Sequence, residues 1–142
     1  MTRRIKLFLL SGVVLVFLPL MVGAKSLSPK EARLYFISPQ DGDTVSSPLS
    51  VRFGLQGMGV APAGVDESGT GHHHLLIDTT LPPMDRPLPK DDHHMHFGGG
   101  QTETVIELSP GKHTLQLILG DHNHMPHDPP VKSEQITITV EE

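Results

Sequence analysis

"LSVRFGL", residues 49–55, places Leu49, Val51, Phe53 and Leu55 on one face and Ser50, Arg52 and Gly54 on the other. A period of two is what a strand with one buried face requires, because successive side chains point to opposite sides of the pleat. The pattern recurs along the chain. "RLYFISP" before it, "HHHLLID" at 72–78, "TETVIEL" at 102–108, "HTLQLILG" at 113–120 and "EQITITV" at 134–140 are all strand candidates. Turn chemistry separates them: "DGDTVSSP" supplies Asp-Gly and a closing proline, and "QGMGVAPAGVDESGTG" is a long glycine-rich loop. The proline-rich "TLPPMDRPLPKDD" cannot sit inside a sheet and is expected to connect two strands. "TETVIEL" and "HTLQLILG", joined by "SPGK", are expected to pair as a hairpin.

Helical periodicity is weak throughout, apart from a single turn expected at "SPKEARL". Six to seven short strands with Gly/Pro turns point to an all-β fold, an immunoglobulin-like β-sandwich, with a small barrel as the competing architecture. Residues 1–24 are expected to lie outside it. Arg3, Arg4 and Lys6 precede the apolar run "LFLLSGVVLVFLPLMV", and Val22 and Ala24 provide the small residues that a signal peptidase accepts. The expected organisation is a signal peptide over 1–24, a leader over 25–33 and one sandwich domain over 34–142, exported to the periplasm or secreted.

Removing the segment takes Arg3, Arg4 and Lys6 from the 11 basic residues, leaving eight against 16 Asp and Glu. So acidic a chain lacks the basic footprint of a nucleic-acid binder and would not be drawn to an anionic membrane surface. It contains no cysteine, which excludes disulfides, thiolate metal sites and thiol catalysis.

Histidine is the chemically distinctive residue. All 10 lie between His72 and His127, and three pairs share one spacing: His72 and His74, His94 and His96, His122 and His124. On a strand, residues two apart face the same way, so each pair can offer two imidazoles to one cation. Imidazole suits zinc, copper, nickel and iron alike. These six histidines, with His127 in reserve, are the candidate ligands for a transition-metal cofactor, copper or zinc. In the expected hairpin, His122 and His124 follow one strand while His94 and His96 precede its partner, which would make those two groups neighbours. The alternation "HHHLLI" places His73 with Leu75 and Ile77 on the core face and His72 and His74 on the opposite one. A site on the rim or outer face, not a buried one, is therefore expected, with His73 structural and His113 a bystander at the far end of the sheet. Met95 and Met125 lie among the histidines, either as soft copper ligands or packed beneath the rings. Asp92, Asp121 and Asp128 are candidates to orient imidazoles or to cap turns.

The stretches "FISPQDGDTVSSPLSVRFGLQGMGVAPAGVDESGTGHHHLLID" and "LSPGKHTLQLILGDHNHMPHDPPVKSE" resemble the DUF4399 family of exported bacterial domains. That resemblance implies an exported β-rich domain and no particular activity. "SPQDGDTVSSPLSVRF" is also similar to the opening of immunoglobulin-like exported domains such as the CopC-type copper carriers. Those carriers bind copper through a mature N-terminal histidine, whereas the expected first residue here is Lys25.

Three function classes follow. The first is a metal-binding module. The second is a non-metal domain that docks on another envelope protein, with the histidines as contacts or pH sensors. The third is a hydrolase using a metal-bound water, with Asp92, Asp121 or Glu67 as base. It has the least support, since the chain lacks an HExxH helix motif, a GxSxG elbow and a phosphate-cradling loop. The partners expected are thus a metal ion for the first class and an envelope protein for the second.

Overall fold

A computed structural model describes residues 25–142. The expected signal peptide falls outside the described residues. Among the described residues there are nine strands and no helix: β1 (Arg33–Ser38), β2 (Thr44–Val45), β3 (Leu49–Gln56), β4 (Gly59–Val60), β5 (Thr70–Ile77), β6 (His94–His96), β7 (Glu103–Ile106), β8 (Gly111–Gly120) and β9 (Ile136–Val140). They form two sheets, one in the order β1-β3-β7 and the other in the order β2-β9-β8-β5-β4, with β6 also paired to β5. The fold is an all-β sandwich, as the alternation predicts. Three very short strands, β2, β4 and β6, raise the number above the six or seven expected.

The two sheets bury the faces that the sequence marks as apolar. Val51 and Phe53 from β3 meet Leu75 and Ile77 from β5, Leu115, Leu117 and Leu119 from β8, and Ile136 and Ile138 from β9. At roughly 25 cal/mol per Å² of apolar surface, each such side chain contributes about 1.5–3 kcal/mol of transfer free energy. The core is aliphatic because the described chain has few aromatic residues to offer.

The expected hairpin between "TETVIEL" and "HTLQLILG" does not form. β7 pairs with β3 in one sheet, while β8 lies between β5 and β9 in the other. The "SPGK" connection therefore arches across the sandwich. Turn residues mark a reversal, but they do not say whether the next strand returns to its predecessor or crosses to the facing sheet. Here Val105 on β7 lies opposite Ser50 on β3, so β7 is committed to the smaller sheet.

β5 is the strand that matters for function. β8 flanks it along one side, His72 opposite Gly120 and His74 opposite Ile118. Along the other side β4 covers its start, and β6 covers its end with His74 opposite His96. Its outer face is not solvent. The proline-rich segment after Ile77 folds back over it, so that Leu88 packs on Leu76 and Ile118, with Leu81 and Met84 around them.

Candidate metal centre

His72 and His74 share the outer face of β5, as their spacing requires, but they are not exposed. Their exposures are 0% and 1%. The site lies on the expected outer face, but the expectation that it is not buried is corrected for His72 and His74, because the Leu88 segment and the loop after β8 roof this face; His96 and His124 stay half-buried. The backbone N–H of Leu88 donates to the His124 carbonyl at 2.8 Å, tying the two parts of the roof together.

His96 arrives by strand pairing. It stands directly opposite His74 in the β5–β6 ladder, and the ring centroids are 5.0 Å apart. Ring nitrogens of His72, His74 and His96 all lie within 4.8 Å of one another, close enough to hold one metal ion. His124 arrives by a turn. Its centroid is 5.0 Å from that of His72, 4.8 Å from His96 and 6.0 Å from His74. Two Nε2 to Nε2 contacts of 3.1 Å run through the group, one between His72 and His74 and one between His96 and His124.

Asp121 makes that turn. Its Oδ1 accepts the backbone N–H groups of Asn123 and Met125, and its Oδ2 accepts the Ser26 hydroxyl. These bonds end the alternation of β8 at Gly120 and turn the chain back over the outer face. His124 completes the turn with a φ of 65°, in the left-handed region that histidine enters more readily than bulky residues. Asp121 is thus a turn residue, one of the two roles open to it from the sequence. Burial raises its carboxyl pKa, but the Ser26, Met125 and Asn123 donors outweigh that and hold it below the usual range.

The cluster favours neutral rings. Burial, then the neighbouring rings of His124 and His96, lowers the His72 pKa to about 4. Burial and the His72, His96 and His124 rings lower His74 to about 2. His96 is lowered as well, by burial first and then by His124 and Lys90. A neutral imidazole keeps a lone pair, and the lone pair is what a metal ion needs. In the pair formed by His72 and His74, Nδ1 of both rings is buried without a hydrogen-bond partner.

The structure brings His72, His74, His96 and His124 together and leaves three other candidate residues apart. His94 faces the same side as His96, but its Nδ1 donates to Asp91 Oδ1 at 2.7 Å. His122 points off the turn, with Nδ1 3.4 Å from Asp66 and Nε2 accepting from the Asn123 amide. His127 is buried at the start of β5, where Nε2 donates to the Thr70 carbonyl at 3.1 Å. The reason is common to all three. Each ring is claimed by another partner: Asp91 beside β6 for His94, Asn123 and Asp66 for His122, and the Thr70 carbonyl of β5 for His127.

The remaining histidines have structural surroundings. His73 faces the core, fully buried, with its ring 5.1 Å from that of Phe53. His113 lies at the far end of β5, its Nδ1 donating to Asp78 and its Nε2 to the Ser109 carbonyl. With both ring nitrogens facing acceptors it suits an imidazolium, and the Asp78 bond raises its pKa. His93 donates from Nδ1 to the Ile77 carbonyl. Met95 packs against the sandwich core and away from the cluster.

Two glycines, Gly98 and Gly120, make room for cluster rings, and a third, Gly71, for the neighbouring ladder and His127; sequence reading did not single them out. A Cβ on Gly98 would lie 2.3 Å from Cε1 of His96. One on Gly120 would lie 3.0 Å from Nε2 of His74, on the same face as its ladder partner His72. One on Gly71 would lie 2.7 Å from the Gly120 carbonyl and 2.9 Å from His127. Part of the signal was available: a glycine stands within two residues of a cluster histidine in "GHHH" and "HFG", whereas Gly120 in "LGDHNH" precedes His124 by four.

Residues 51–141 match a family described as a domain of unknown function, DUF4399. The chain belongs to the DUF4399 family. The matched span contains all four histidines of the cluster and the two glycines, Gly98 and Gly120, that make room for them, so the site is part of the DUF4399 domain itself. Neither a curated protein nor a solved structure matched the chain.

Proposed function

We propose that this DUF4399 protein is an exported domain that binds a transition-metal ion through His72, His74 and His96, with His124 beside them. One observation carries the reading: ring nitrogens from three histidines on two paired strands, two of them buried and His96 half-buried, meet within 4.8 Å. The ligands come ready assembled on strands, so binding does not have to order them. Burial keeps their lone pairs free of protons at neutral pH. The basic and apolar character of residues 1–24 supports an exported location, and with no cysteine in the chain histidine is the nitrogen donor available for ligation. Copper and zinc are both compatible with imidazole.

A second reading has one observation in its favour. The Nε2 to Nε2 separations of 3.1 Å are also hydrogen-bond distances, so the rings can pair without metal. In that arrangement each pair has one Nε2–H donor and one Nε2 acceptor. The accepting ring of the His72–His74 pair must then carry its proton on a buried Nδ1 that lacks a partner, at a cost of about 1–3 kcal/mol. Apolar residues would pack this face without that cost. Ligation also leaves Nδ1 protons unpaired, but apparent binding free energies of about 10–16 kcal/mol at structural zinc sites exceed it. The metal reading accounts for the rings better.

The test is a count of bound ions. Chelator-stripped protein is equilibrated with zinc or copper and the metal per chain is measured, for wild type, for His72→Ala with His96→Ala, and for His94→Ala with His122→Ala. The proposal expects one tightly held ion in the wild type and in the last variant, and none in the first. Equal loading of all three proteins would overturn it.

A further inference from the structure

The separations among the four rings carry information about the coordination geometry. The six centroid distances are 4.8, 4.9, 5.0, 5.0, 5.0 and 6.0 Å. Four objects at nearly equal mutual distances lie at the corners of a tetrahedron. In the square arrangement that Cu(II) and Ni(II) favour, two of the six would exceed the others about 1.4-fold. Here one is longer than the rest, His74 to His124, and only ring nitrogens of His72, His74 and His96 lie within 4.8 Å of one another, so His124 has to close toward His74 to complete the figure. Zinc–nitrogen bonds of about 2.0–2.1 Å, continued to the ring centres, give separations of about 5 Å in a tetrahedron.

The two short nitrogen contacts fit the same figure. The pairs His72–His74 and His96–His124 share no member, so they form opposite edges of the tetrahedron. Three of the four corners are fixed by the sheet. His72 and His74 sit on a strand paired along both sides, and His96 is held opposite His74 by the β5–β6 ladder. Flattening the group into a square would require β6 to slip against β5. Only His124, on its Asp121-bonded turn, is free of a ladder.

The donor set is also uncharged. Asp121 is the nearest acid on the turn, and its oxygens are occupied by Ser26, Asn123 and Met125. Asp91 accepts from His94 Nδ1, and its Oδ1 accepts from the His93 backbone N–H as well. A closed site of four neutral nitrogens, without a carboxylate to supply a fifth or sixth position, suits an ion with no electronic preference for higher coordination.

We propose that His124 is the fourth ligand and that the site is a closed tetrahedral N4 centre for d10 cations, namely zinc or cuprous copper, which it forces on other metals as well. This rests on the metal-binding reading above. It goes beyond it in naming the geometry, the fourth residue and the class of ion.

Cobalt(II) tests the geometry directly, because its visible ligand-field bands are intense in tetrahedral sites and weak in octahedral ones. The full chain is stripped and titrated with Co(II), then with Zn(II) in air and with Cu(I) under anaerobic reducing conditions. Intense bands that saturate at one equivalent are expected, and one equivalent of either d10 ion should abolish them. His124→Ala should reduce the band intensity and weaken zinc binding at least tenfold, while His122→Ala, two residues away on the same turn, should change neither. Weak octahedral bands at one equivalent in the wild type would overturn the tetrahedral assignment and leave metal binding intact. So would a His124→Ala protein with unaltered bands. Failure of Co(II), Zn(II) and Cu(I) alike to bind would remove both readings. The two d10 arms separate zinc from cuprous copper: the ion that competes at the lower concentration is the preferred one.

Discussion

His96 lies across the β5–β6 ladder from His74, and the imidazole centroids of the two are 5.0 Å apart. Residues opposite each other on paired strands share a face, so a three-residue strand suffices to deliver a third ring to the His72–His74 pair. Breaking that pairing should matter more to the site than to the fold, since β6 is short and the sandwich core lies on the other side of β5.

Gly98→Ala should therefore disable the site selectively. The new methyl would lie 2.3 Å from the His96 ring, which is partly exposed and able to swing aside. Zinc affinity is expected to fall at least tenfold, about 1.4 kcal/mol, with the urea midpoint changed little. Calorimetric titration of the variant checks this, and unaltered affinity would show that His96 is not a ligand.

Gly71→Ala should behave differently. Its methyl would meet the Gly120 carbonyl at 2.7 Å, and backbone in the middle of a sheet cannot swing away. Overpacking of this kind costs typically about 1–3 kcal/mol. Denaturant unfolding without metal should show the loss, and a neutral result would mean that the β5–β8 spacing is looser than described.

Acid should destabilise the metal-free protein. Burial first, aided in His72 and His74 by neighbouring rings, lowers the pKa values of His72 and His73 to about 4 and of His74 to about 2. In the unfolded chain these rings titrate near 6.5, so below that pH the unfolded state binds more protons and stability falls. Their contribution is fully present above about pH 6.5 and is lost progressively toward pH 4 and below, at up to about 1.4 kcal/mol per pH unit for each ring. His113 acts in the opposite sense, because Asp78 raises its pKa, and its contribution is lost as pH rises. Asp78 is exposed and solvent screens that pair, so the buried rings should dominate. Urea midpoints that decline from pH 7 to pH 5 are expected. A flat profile would contradict the burial of neutral rings.

Metal should reverse part of that loss. An ion that binds only the folded state at 100 times its dissociation constant adds about 2.7 kcal/mol. Thermal unfolding with excess zinc should move upward at pH 7.5 in the wild type and stay put in His72→Ala with His96→Ala. The upward shift should shrink as protons compete for the lone pairs.

Much of the sandwich was legible because its strands alternate cleanly. Val51 and Phe53, and Leu115, Leu117 and Leu119, lie on the faces that their spacing marks as buried. The two sides of β5 were legible for the same reason, His73 turned to Phe53 and His72 and His74 turned away. What sits above the outer face was not read. Leu76 and Ile118 are apolar residues on the supposedly wet side, and such residues signal a strand covered on both faces. The pairing of β7 was misread because a Pro-Gly turn serves a hairpin and an arch equally well. His96 and His124 do meet, by a route other than the expected hairpin. β6 brings one and the Asp121 turn brings the other. His94 shares both the spacing and the face of His96, but Asp91 claims its ring, and Asn123 claims that of His122 on the turn.

The central claim is that one cation touches rings from β5, β6 and the loop after β8 together. The most direct measurement follows the histidine ring nitrogens by NMR as the stripped protein is titrated with zinc to one equivalent. The account predicts that His72, His74, His96 and His124 shift together and saturate at a single ion, while His93, His113 and His122 hold their positions. Shifts confined to the exposed histidines, or rising without saturation, would contradict it.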